Sequence, residues 1–180
     1  IKDFKSCAFT EHGVSPRAFP GNPYHFICAD SDEHDETGRI TEDVDFMRPE
    51  MVKKRNKKIE FLMKDVEAPL RYGPSDAKNF LIGWGSTYGP LKEAVDILNS
   101  EGEKAALIHF TDVWPLNPDH FNFLDSADFA VVVENNYKGQ FADLITQRTS
   151  RTINNRINKF NGLPFYAAEI VEEYKRKKQD

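Results

Sequence analysis

The sequence predicts a three-layer α/β/α domain on a mainly parallel sheet, preceded by an extended segment and a long helix. Short unbroken apolar runs, such as Phe129-Ala130-Val131-Val132-Val133, suit strands buried on both faces. Helical patterns alternate with these runs beyond residue 77. Loops rich in Gly, Pro and Asn follow the three best strand candidates, as expected where the strands of an open α/β sheet end.

Residues 1–46 concentrate turn formers, including Ser15-Pro16, Phe19-Pro20-Gly21 and Asn22-Pro23, and lack sustained periodicity. They read as an extended connector, with one short strand candidate at His25 to Ala29. Residues 47–76 read as an amphipathic helix and linker. Pro49 suits a first helical turn, and Met51, Ile59, Leu62, Met63 and Val66 mark an intermittent stripe from Arg48 to Val66. The basic run Lys53 to Lys58 is read as a solvated face of that helix, and Pro69, Gly73 and Pro74 as a hinge.

Residues 77–180 read as the α/β domain. Strands are expected at Asn79 to Gly83, Ala105 to Phe110, Phe129 to Val133 and Ile153 to Ile157. Helices are expected at Pro90 to Ser100, with Gly102 as the stop, at Asp119 to Leu124, at Gly139 to Arg148 and at Ala167 to Lys177.

Composition narrows the function. The 180 residues are 39% hydrophobic and 29% charged, with 14 Phe, which is globular and large enough to bury a core. A net charge of −5 disfavours nucleic acid as a partner. Only Cys7 and Cys28 occur, with no CxxC pair, which points to a reducing compartment and leaves no cysteine-held cluster within the chain. No apolar run approaches the roughly 20 residues of a membrane span, so a cytoplasmic protein is expected. The chain starts at Ile1 in polar sequence without a methionine, which suggests a piece of a longer polypeptide.

The loops hold the candidate site. Gly83-Trp84-Gly85-Ser86-Thr87-Tyr88-Gly89-Pro90 precedes a helix, whose free N–H groups and partial positive charge suit an anion. It has neither a GxGxxG fingerprint nor a P-loop lysine, which favours a tight turn whose aromatic rings pack on a neighbouring domain. The loop Thr111 to Pro118 contains Trp114-Pro115, with Asn117 or Asp119 placed to cap the next helix. The loop Glu134-Asn135-Asn136-Tyr137-Lys138-Gly139-Gln140 offers amides and a lysine to a ligand or, preferably, to a partner surface. His34 among acidic neighbours lacks the spacing of a metal loop, so no metal ligands are assigned. His109 ends an apolar run and reads as a satisfied core histidine. With no GxSxG elbow and no activated cysteine, self-contained hydrolase chemistry is unsupported.

Several strings together resemble a known family. Glu33-His34-Asp35-Glu36-Thr37-Gly38 with Thr41-Glu42-Asp43, then Arg48, Met51 and Lys54-Arg55, then Gly83 to Gly89, Trp114-Pro115, Val133 to Tyr137 with Gly139-Gln140, and Asn158 to Phe165 are similar, in order and approximate spacing, to alpha subunits of 2-oxoacid:ferredoxin oxidoreductases. The resemblance implies a fold like the carboxyl-terminal domain of transketolases, with residues 1–46 leading from a preceding pyrimidine-binding domain. It implies an enzyme that oxidatively decarboxylates a 2-oxoacid to acyl-CoA and passes electrons to ferredoxin. Thiamine diphosphate, magnesium and a 4Fe-4S cluster would belong to the complete enzyme, with coenzyme A as substrate, and the beta subunit would hold the diphosphate, metal and cluster sites. This chain would bind none of them.

The Tyr-Pro-Ile-Thr-Pro motif of that family is missing, so no catalytic residue is carried over. Gly85, Ser86, Thr87, Tyr88, Trp114, Asn135, Asn136, Tyr137 and Gln140 are implied to line a subunit or domain interface or, alternatively, a ligand loop near the coenzyme A approach. The implied partners are the beta subunit, ferredoxin through the complete enzyme, and a second copy in dimeric contacts, with no nucleic acid and no membrane. Two other readings stay open: a piece of a transketolase or branched-chain dehydrogenase, and a free-standing module for a small anion.

Overall fold

The computed structural model describes residues 3–25 and 30–179 and divides into two units, Ile1–Asp65 and Val66–Asp180. The strand candidate at His25 to Ala29 falls almost wholly outside the described residues, as does Cys28.

The first unit contains an irregular connector and helix α1 (Met47–Leu62). Met51 is the buried residue of α1, while Leu62 is exposed, so the expected apolar stripe is buried at one point. The connector is held to α1 by polar contacts. Arg55 donates to both carboxylate oxygens of Glu33 at 2.9 and 2.8 Å, and Lys54 donates to the Cys7 carbonyl at 2.7 Å. The basic run is therefore only partly a solvated face.

The second unit is a five-stranded sheet of order β1-β3-β2-β4-β5. Its strands are β1 (Leu70–Tyr72), β2 (Asn79–Trp84), β3 (Ala105–Phe110), β4 (Phe129–Glu134) and β5 (Asn155–Asn158). Strands β2 to β5 run parallel, with Leu81 opposite both Leu107 and Val131, and β1 pairs antiparallel with β3. Strand β1 lies where a hinge was expected. It is three residues long, too short to show a period, and its turn is held by Arg71, which donates to the carbonyls of Pro74, Ser75 and Ala77.

Side chains alternate between two cores. Leu81, Leu107, Val131 and Val133 face helices α2 (Tyr88–Ser100) and α4 (Ala167–Gln179). Phe80, Ile82, Ile108, Phe110 and Val132 face α3 (Gln140–Thr149) and a 3-10 helix, Pro118–Ser126, which spans the short helix expected at Asp119 to Leu124. Each buried Leu, Val or Phe contributes about 1.5–3 kcal/mol, so both layers are required for the sheet to be stable. Gly83 lets α2 pack closely, because a Cβ there would overlap Leu91 and lie 2.6 Å from the Thr87 hydroxyl.

Candidate functional site at the carboxyl edge of the sheet

From β2 the chain moves to β3 on one side and then to β4 on the other, so the carboxyl ends of β2 and β4 flank a topological switch point. In open α/β sheets a ligand usually enters the crevice there. Here Trp84 and Glu134 join the two strand ends, and an open cleft lies beside them.

Glu134, the last residue of β4, is fully buried. Its carboxylate accepts from the backbone N–H groups of Phe141 at 2.8 Å and Ala142 at 3.1 Å, from the Asn136 amide at 2.7 Å and from the Trp84 indole at 3.4 Å. Asn136 in turn accepts from the N–H groups of Gly139 and Gln140 at 2.7 and 3.2 Å. The free N–H groups at the start of α3 are therefore occupied by an internal anion and its neighbouring amide. The burial of a charge is offset by four directed donors.

The loop after β2 is locked in a different way. The Thr87 hydroxyl accepts from the Trp84 N–H at 3.1 Å and donates to the Trp84 carbonyl at 2.8 Å, which occupies it in the turn. His109 Nε2 lies 3.1 Å from the Gly85 carbonyl, and since a carbonyl only accepts, Nε2 carries the proton. The Tyr88 ring packs edge-on against His109 at 5.1 Å. Burial lowers the imidazole pKa below 6.5, opposed by the Gly85 hydrogen bond, so His109 is the satisfied core histidine expected from its place in the chain.

Open surface remains beside this network. Ser86, Asn135, Lys159, Phe160, Gly162, Leu163 and Pro164 line a cleft of about 480 Å³. The Asn135 amide reaches the Leu163 carbonyl at 3.4 Å, and Lys159 is bound to Glu169 and to the Pro164 carbonyl, so the cleft contains no unpaired charge. Along its rim the Tyr137 and Phe160 rings meet edge to face at 4.8 Å, and they are 70% and 63% exposed. Leu163 and Tyr166 add to this apolar rim, at 58% and 66% exposure.

The structure thus brings Gly85, Ser86, Tyr88, Asn135, Asn136, Tyr137 and Gln140 to one edge, with Thr87 buried beneath them. Trp114 lies in the loop after β3, half-exposed, with the Arg148 guanidinium 4.2 Å above its ring. Sequence reasoning did not single out Glu134, Phe160 or Leu163. For Glu134 a signal exists: an acid closing an apolar strand run, seven residues ahead of the helix amides that it caps.

In the first unit the acidic stretch is internally engaged. Glu33 pairs with Arg55, and Arg48 lies 3.5 Å away, while Glu36 pairs with Lys5 and Asp35 accepts from Thr37. Among the described residues no group of three or more His, Cys, Asp or Glu is placed to hold a metal ion. None of their helices is long and apolar enough to cross a membrane.

No family model matches the chain. It is 35% identical over 173 residues to the alpha subunit of 2-oxoacid:ferredoxin oxidoreductase 1 of Sulfurisphaera tokodaii, which covers 94% of this chain and 27% of the relative. It is also 35% identical over 179 residues to the alpha subunit of 2-oxoacid:ferredoxin oxidoreductase 2 of Aeropyrum pernix, covering 97% of this chain and 27% of that one. The chain thus spans about a quarter of the length of these relatives. Among solved structures it matches 2-oxoglutarate:ferredoxin oxidoreductase from Magnetococcus marinus, which has 2-oxoglutarate, coenzyme A and succinyl-CoA bound. That match has a TM-score of 0.75 and 29% identity, over 97% of this chain and 30% of the neighbour.

Proposed function

Along nearly its whole length this chain is homologous to alpha subunits of 2-oxoacid:ferredoxin oxidoreductases, and on that premise we propose that it is the carboxyl-terminal part of such a subunit, acting in domain and subunit assembly. The proposed enzyme converts a 2-oxoacid and coenzyme A to acyl-CoA, carbon dioxide and a proton, and the two electrons released pass through an iron–sulfur centre to ferredoxin. Thiamine diphosphate and magnesium supply the decarboxylation chemistry, and a beta subunit holds them and the 4Fe-4S cluster.

Among the described residues no three His, Cys, Asp or Glu converge for a metal ion, and the two cysteines of the sequence are fewer than the four that hold a 4Fe-4S cluster. No reaction step is assigned to them.

One observation carries the reading. Glu134 and Trp84 tie the ends of β2 and β4 together, while Tyr137, Phe160, Leu163 and Tyr166 turn apolar surface outward at the same edge. A strand edge braced from within beneath exposed rings suits docking of protein on protein. A rigid docking domain fixes the placement of subunits around a shared active site and so controls reacting geometry without touching the substrate. The proposed partners are the beta subunit, ferredoxin through the complete enzyme, and a second copy in dimeric contacts, in the cytoplasm.

Co-purification tests the proposal. The chain is expected to elute with a companion subunit that bears a cluster and thiamine diphosphate, and to reduce no ferredoxin by itself. Keto-acid turnover by the purified chain without a companion, or failure to associate with one, overturns it.

A further inference from the structure

We propose that the first unit carries a binding site for a small-molecule phosphate ester, in a cleft between the connector and α1. The cleft encloses about 360 Å³, at the lower end of the roughly 300–1,000 Å³ common for small-molecule sites. Four cationic side chains, Arg17, Lys54, Arg55 and Lys58, line it against a single carboxylate, Glu33. In a chain of net charge −5 this is a local reversal of sign.

That carboxylate is already neutralised. Arg55 holds both its oxygens, and Arg48 stands 3.5 Å away. Lys54 donates to the Cys7 carbonyl, which provides a dipole but no counter-charge. Burial lowers the Lys54 pKa and the nearby Lys58 and Arg55 add to the effect, while Cys7 and Glu36 oppose it. Among the described residues Arg17 and Lys58 have no ion pair or side-chain hydrogen bond, so each brings positive charge to the cleft without a carboxylate partner of its own.

The arrangement is built by close backbone contact. Gly13 has φ +70°, and a Cβ there would crowd the Lys54 carbonyl and lie 2.9 Å from the Lys58 nitrogen, so the connector rests on that turn of α1. His12 packs on Phe61 at 4.3 Å, and the Ser15 hydroxyl donates to the Ala8 carbonyl at 3.0 Å. These contacts bring Arg17 to the same cleft as Lys54 and Lys58. Several cations around one point suit a phosphate dianion better than a single carboxylate, and the planar arginine fork can donate to two phosphate oxygens at once. Phe4, Val14 and Met51 form an apolar wall for the organic part of the ester.

Calorimetric titration of the intact chain at low ionic strength, with phenyl phosphate and with inorganic phosphate, tests the site. Phenyl phosphate is expected to bind about tenfold more tightly than inorganic phosphate, and an Arg17→Gln/Lys58→Gln double variant to weaken it by about tenfold or more. The thermal midpoint of the double variant should match that of the parent. Bound phenyl phosphate should also protect Lys54 and Lys58 from acylation. Unchanged affinity in the double variant, or equal affinity for the two probes, overturns the proposal.

Discussion

The Trp84 indole donates to the Glu134 carboxylate across the gap between the ends of β2 and β4, joining residues 50 positions apart in the chain. Glu134 also receives two backbone N–H groups of α3 and the Asn136 amide, so one buried acid ties together two loops and a helix.

Glu134→Gln preserves shape but replaces one acceptor oxygen with a donor that faces other donors. Leaving buried N–H groups unmatched costs about 1–3 kcal/mol for each group. We expect a loss of about 2–4 kcal/mol in urea unfolding followed by tryptophan fluorescence, with a shifted native Trp84 emission. A change below about 0.5 kcal/mol, the scale of ordinary surface substitutions, would show that the carboxylate does not organise this edge.

Tyr137→Ala and Phe160→Ala should separate docking from folding. Both rings are largely exposed, so unfolding should shift little. Association with the companion subunit should weaken by about 1–3 kcal/mol for each ring if they anchor the interface. Unchanged affinity in a direct binding measurement would move the interface elsewhere.

Acid should loosen the contact between the connector and α1. The hydrogen bond from Arg55 holds Glu33 at about 2, against an ordinary carboxyl value of 4.5. A depressed carboxylate contributes stability that is complete above its unfolded pKa and is lost as pH falls through the folded one. The loss therefore falls between about pH 4.5 and 2. Carboxyl carbon NMR should show Glu33 titrating low in the parent and close to its ordinary value in Arg55→Gln.

Gly83→Ala tests the contact between α2 and β2. Its new methyl would meet Leu91 and the Thr87 hydroxyl, so a loss of about 1–3 kcal/mol is expected. A neutral result in thermal unfolding would mean that α2 can shift outward without cost.

Much of the fold is legible in the chain. Ala105–Phe110 is apolar but for His109 and forms β3 over that same span, while Phe129–Glu134 extends the expected strand by one residue. Strand β1 was not legible, because Leu70-Arg71-Tyr72 gains its conformation from pairing with Leu107, Ile108 and His109. The short helix expected at Asp119 to Leu124 forms as a 3-10 helix capped by Asn117, and its type was not legible because a short helical pattern fits a 3-10 helix as well as an α-helix.

By itself the sequence determined the layering and the edge at which the site lies. Apolar runs without a polar face require cover on both sides, and turn formers at the strand ends place the loops together. Only the tertiary structure decided what that edge is made of. Glu134 is an ordinary acid in a loop string until the α3 amides, Asn136 and Trp84 converge on it, because solvation and hydrogen-bond partners are set by neighbours distant in sequence. The same holds in the first unit, where adjacent lysines and arginines become a cleft wall only once Gly13 lets the connector lie against α1.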